Sequence, residues 1–172
     1  MSLIKSIGLG LQKKWSGVVA KLDSLKGTPE EISKGFATGV AMSFTPMVGF
    51  HLLICLGVSR LTGQNGVAAA LGTLAGNPWT FPLIWFATLH LGIIIMGADA
   101  PVRLPEFKML FSEMFHSIIA LDFKAFIRDV WPVFLPMFIG CIPFYIIVWY
   151  VTYLAIRKVL QKTSTTEEKE DK

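Results

Sequence analysis

The sequence predicts an all-α integral membrane protein, with interrupted or re-entrant helices beside full transmembrane spans and amphipathic interfacial helices at the N-terminus and in mid-chain. Three observations predict it. Of 172 residues, 53% are hydrophobic and 16% charged, against about a quarter charged in a soluble domain. The charges leave runs 35–59, 61–98 and 130–156 without any Asp, Glu, Lys or Arg, each longer than the ~20 helical residues that cross a ~30 Å hydrocarbon core. Finally, prolines and glycines break those runs near their middles.

Residues 1–27 form the first element. Ile4, Ile7, Leu11, Trp15, Val18, Leu22 and Leu25 recur at steps of three or four, with Lys5, Lys13, Lys14 and Lys21 mainly off that stripe. Such a helix lies in the membrane interface with its lysines near anionic head groups, or packs on the protein's own membrane domain. The spaced apolar residues do not form the continuous core of a secretory signal. A single helical membrane domain is then expected over 28–160. Thr28, Pro29, Glu30 and Glu31 read as an N-cap, a first-position proline and an acidic first turn.

The first run is split by Thr45-Pro46-Met47-Val48-Gly49 into halves of about ten residues, Gly35–Phe44 and Phe50–Ser59. Ten helical residues span ~15 Å, half a bilayer. The second run, at 38 residues, is too long for one straight span. It should break at Gly76-Asn77-Pro78, leaving Trp79–Gly97 as a full span with Pro82 near its start. In the segment 105–121, Phe107, Leu110, Phe111, Met114, Phe115, Ile118 and Ile119 make one apolar face, which predicts a surface-lying amphipathic helix. The third run ends in Trp149, Tyr150 and Tyr153, an expected aromatic belt, then Arg157 and Lys158. Residues 161–172 read as a disordered charged tail.

Charge sets an expected topology. Six Lys/Arg precede Gly35 and five follow Ile156, while 98–130 holds four against five Asp/Glu. Both termini are therefore expected in the cytoplasm. Three complete spans would separate the termini; a re-entrant first run, entering and leaving on the cytoplasmic side, removes that conflict.

Non-helical backbone at membrane depth is tolerated only where protein buries it or where it lines a wet cavity. A pair of proline- and glycine-interrupted segments is thus the sequence pointer to a transport site. The candidate substrate or ion site comprises Thr45, Pro46, Gly49, His51, Gly76, Asn77, Pro78, Thr80, Pro82 and His90. Gly49 and Gly76 are expected to permit close backbone approach. His51 and His90 are ionisable groups inside apolar runs, able to relay a proton or simply to bond a backbone carbonyl. Proline kinks satisfied by packing are the structural alternative.

No catalytic residue, cofactor or metal ligand set is expected. The chain contains no GxSxG, HExxH, Walker A or GxGxxG, and no Asp or Glu inside the runs. Ser43 and Ser59 have no lysine or histidine at helix-adjacent spacing. Cys55 and Cys141 read as small buried hydrophobes. The basic residues, though they bring pI to about 9.1, flank the runs and do not interleave with aromatics, which argues against nucleic acid. Membrane lipids are the expected partners, with a homodimer also expected because one small chain offers few helices to enclose a path.

The stretch Lys34–Gly97 carries a family resemblance. Gly35-Phe36-Ala37-Thr38-Gly39, then Pro46-x-x-Gly49-x-His51, then Gly76-Asn77-Pro78-Trp79-Thr80-x-Pro82 resemble the bacterial membrane-protein family catalogued as a domain of unknown function, number two thousand and sixty-two. The likeness runs more loosely through the final span. It implies a multi-pass protein of the bacterial cytoplasmic membrane, and implies no activity. Two functions stay open: a small transporter or lipid- or ion-handling protein with its site at the two breaks, and a non-catalytic membrane scaffold or accessory subunit of an envelope-lipid system.

Overall fold

The computed structural model describes residues 16–47, 49–76, 80–97, 112 and 131–170, and every regular element among them is helical. We number them α1 (residues 16–23), α2 (Pro29–Met42), α3 (His51–Thr62), α4 (Gly66–Thr73), α5 (Phe81–Ile95) and α6 (Trp131–Glu170). The first fifteen residues and the expected amphipathic segment 105–121, apart from residue 112, lie outside the described residues.

The start of α2 follows the sequence reading. The Thr28 hydroxyl accepts from the Glu31 amide at 3.2 Å, while the Glu31 carboxylate accepts from the Thr28 amide at 2.9 Å. Two otherwise orphaned donors are thereby satisfied in a capping box. α4 starts similarly: Asn65 Oδ1 accepts from the Ala68 amide, and its Nδ2 donates to the Lys26 carbonyl. The Asn65 amide donates to the Glu31 carbonyl, so the starts of α2 and α4 lie side by side.

α2 and α4 run parallel and very close. A Cβ on Gly35 would meet the Asn65 carbonyl, one on Gly39 the Ala69 carbonyl, and one on Gly72 the Phe36 carbonyl. Small residues four apart let the two backbones touch, the device that packs helices where no hydrophobic force separates protein from solvent. α6 lies antiparallel to α2: Ile156 and Leu160 pack with Leu22, Ile32, Phe36 and Ala68, and Phe144 stacks on Phe44 at 6.3 Å. α5 packs against the other half of α6, where Gly92 meets the Pro136 backbone, Gly140 meets the Thr88 backbone, and Met137 joins Trp85 and Leu89.

α2 and α5 are therefore stacked at successive levels along one long helix. At 14 and 15 residues each reaches ~21–22 Å. α3 returns beside α4, through a left-handed Gly63 (φ 66°), so that Gln64 comes back to Thr38. α4, the break and α5 together make one interrupted path antiparallel to α6.

Among the described residues one helix, Trp131–Lys162, is long and apolar enough to cross a membrane, with mean hydropathy 2.0. α5 is shorter than the full span expected from Trp79 to Gly97, because it starts only at Phe81 and stops at a left-handed Gly97 (φ 68°). The expected disordered tail is also revised: α6 continues to Glu170, since no glycine or proline follows Pro143. Within the expected belt, Tyr150 is exposed but Tyr153 is buried and Trp149 turns to α2. In α1, Leu22 is fully buried against Ile32, Phe36 and Leu160, while Val18 on the preceding turn is exposed.

Candidate functional site

The residues that flank the two sequence breaks meet in space: Ser43 and His51 on one side, Gly76 and Phe81 on the other. α2 unwinds through tight turns, with the Phe44 amide bonded to Ala41 O and the Thr45 amide to Met42 O. Proline 46 cannot continue a helix, and Gly49 takes φ 83°, a left-handed value that reverses the chain. His51 then opens α3. Its Nε2 donates to the Thr45 carbonyl at 3.2 Å, its ring stacks on Phe81 at 5.9 Å with 13° between planes, and it is 9% exposed. Phe81 in turn stacks on Trp85 at 5.3 Å. One imidazole thus ties the first break to the start of α5.

A second contact lies alongside. Ser43 donates to the Thr73 carbonyl at 3.4 Å, and a Cβ on Gly76 would stand 2.8 Å from the Ser43 side chain and 2.9 Å from the Phe81 ring. Gly76 therefore lies against the Ser43 and Phe81 side chains, with no room for a Cβ. Gly49 does not: a Cβ there would meet nothing within 4 Å, and its role is the turn. Asn77, Pro78 and Val48 lie outside the described residues. Thr80 is the N-cap of α5 and Pro82 sits in its first turn, where a missing N–H costs nothing.

Four helix ends converge here. α2 and α4 finish at this level, their last carbonyls taken up by the amides of residues 43–45 and 74–76, and α3 and α5 begin here. Side-chain caps serve the starts of α2 and α4, but neither Phe50 nor Thr80 provides a side-chain cap to α3 or α5. Helix-dipole ends of both signs therefore meet at this level. With Nε2 donating to Thr45, a neutral His51 keeps Nδ1 as an acceptor.

His90 is not brought to this point by any contact. It stands nine residues along α5 from Phe81, ~13 Å of rise. Its Nδ1 donates to the Phe86 carbonyl at 2.9 Å and its ring packs on Phe86. Cys55 and Cys141 are buried and free, each thiol donating to a carbonyl of its own helix.

Sequence reasoning missed a polar strut beside the site. Trp149 Nε1 donates to the Thr38 hydroxyl at 3.0 Å, and Thr38 donates to Gln64 Oε1 at 2.7 Å. Trp149 stacks on Tyr153 at 5.2 Å, and Arg157 donates to the Tyr153 hydroxyl at 2.9 Å with its guanidinium over the ring. The signal was the four-residue spacing of Trp149, Tyr153 and Arg157, one face of a helix. At the outer end, Lys34 pairs with Glu30 at 2.7 Å. The hydrogen bond from Lys34, and then its charge, hold the Glu30 carboxyl below its ordinary value; the same bond raises Lys34.

Residues 13–169 match the model of a family described as "Uncharacterized protein conserved in bacteria (DUF2062)". No curated protein and no solved structure matches the chain.

Proposed function

We propose, from the premise that this chain belongs to the bacterial family DUF2062, a multi-pass protein of the cytoplasmic membrane that binds and passes a small ligand, lipid or ion at the meeting point of its two breaks. The observation that carries this reading is the His51 bridge: a nearly buried imidazole joining the Thr45 carbonyl to Phe81. Around it stand a helical hairpin (α2–α3), an interrupted helix (α4–α5) and a continuous helix, α6. In that arrangement the hairpin is re-entrant, and four helix ends meet around a site at mid-depth. A bilayer accounts for the greasy exterior, on which Leu53, Leu83, Ile94 and Ile147 are each more than 60% exposed. Both termini then fall in the cytoplasm, with α6 crossing inward.

The reading is non-enzymatic. His51 contributes one free acceptor nitrogen, and the helix ends contribute backbone dipoles, groups that bind and release without a covalent step. Asn77 and Pro78 belong to the same proposal from their place in the sequence. A second copy of the chain is proposed to complete the enclosure.

Native mass spectrometry of the protein in native-lipid nanodiscs tests this reading. The wild type should carry a specific ligand that His51→Ala/Asn77→Ala loses. The same lipids on both, with no other ligand on either, would replace the transport reading with that of a scaffold.

A further inference from the structure

A groove of about 450 Å³ opens between α1, α2 and α4, away from the His51 bridge. Gly17, Val18 and Lys21 form one wall, Phe36 its floor, and Leu71 and Ala75 the far wall. Its volume is that of a small-molecule site. Among the described residues, Lys21 is the only charged one lining it, and it makes no ion pair. The groove ends at Ala75, one residue before the second break.

We infer that this groove holds one acyl chain of an anionic phospholipid, with the lipid phosphate on the Lys21 ammonium. An apolar trough bearing a single cation matches an amphiphile with a single anionic head: the chain lies against Val18, Phe36 and Leu71, and the lysine snorkels to the phosphate. The groove is open beside Gly17, where an added Cβ would meet nothing within 4 Å, so a large side chain there would project into it. The ligand class is phosphatidylglycerol-like rather than zwitterionic, because a lysine near the bilayer surface favours net negative charge. This site stands on geometry separate from the His51 bridge.

The test uses full-length protein in detergent, titrated with phosphatidylglycerol or phosphatidylcholine and read by native mass spectrometry. We expect the wild type to prefer phosphatidylglycerol about fivefold, the equivalent of ~1 kcal/mol per lysine. Lys21→Gln should erase the preference, Lys21→Arg and Lys26→Gln should keep it, and Gly17→Trp should lower retention of both lipids by filling the groove. His51→Ala should keep the preference whether or not the mid-depth site binds a ligand. Equal binding of the two lipids by wild type, an equal loss in Lys26→Gln, or full retention in Gly17→Trp would overturn the assignment.

Discussion

The indole N–H of Trp149 donates to the hydroxyl of Thr38, 111 residues away in the chain, at 3.0 Å. Thr38 is 1% exposed and passes its own proton on to Gln64. Trp149→Phe removes one donor and should cost about 0.5–1.5 kcal/mol. Thr38→Val strands both Trp149 and Gln64 and should cost more, about 1–3 kcal/mol. Thermal unfolding in detergent of both single variants and the double variant checks this. Costs that simply add would show that the two side chains are not coupled.

Gly39 and Gly49 should fail for different reasons. Gly39→Ala drives a methyl into the Ala69 carbonyl, an overpacking expected to cost about 1–3 kcal/mol. Gly49→Ala meets no neighbour but must hold φ 83°, which costs ~1–2 kcal/mol. Gly49→Asn should recover part of that, because asparagine tolerates the left-handed region. At position 39 asparagine should be worse than alanine. Urea denaturation midpoints compare the four variants directly.

The two buried-run histidines should separate functionally. His51→Ala opens the contact between Thr45 and Phe81 and should abolish ligand retention at the breaks. His90→Ala removes only a bond to its own helix and should leave retention within about twofold of wild type, well under the ~1.4 kcal/mol that a tenfold change represents. Equal losses in the two would detach the site from the His51 bridge.

The Glu30–Lys34 pair sets a small pH response at the start of α2. The Glu30 pKa is lowered, so its contribution is present above the ordinary carboxylate value and lost as pH falls through the lowered one. The Lys34 pKa is raised, so its contribution is present below the ordinary lysine value and lost as pH rises through the raised one. Both side chains lie at the surface in contact with solvent, so high salt should erase the effect. The Thr28 cap should matter more: Thr28→Ala is expected to cost ~1 kcal/mol at any salt. Melting curves in low and high salt, across acid to alkaline pH, distinguish the two contributions.

The sequence made local features readable and left tertiary ones hidden. Thr28 to Glu31 announced the start of α2, because a capping box is complete within four residues. Both breaks were readable for the same reason: proline and glycine act on their own backbone. That the breaks would face each other was not readable, since it depends on α2 and α4 running parallel. The Gly35/Gly39 spacing carried that information as a small-residue motif. Hydrophobicity alone misjudged Trp149 and Tyr153 as membrane-facing, because an amphipathic aromatic suits a lipid interface as well as a buried hydrogen bond. The length of α5 was misjudged because apolar runs do not register where helical dihedrals begin.

The shared partner of α2 and α5 is the last element to be made. At ~5–20 residues per second, Trp149 emerges roughly 6–22 s after Thr38, and until then the Thr38 hydroxyl has Gln64 but not the indole N–H to bond. Until α6 is made, α2 and α5 therefore lack the helix on which both pack. Truncation before codon 131 would remove the one helix on which both α2 and α5 pack, which makes the C-terminal quarter of the chain the element that completes the fold.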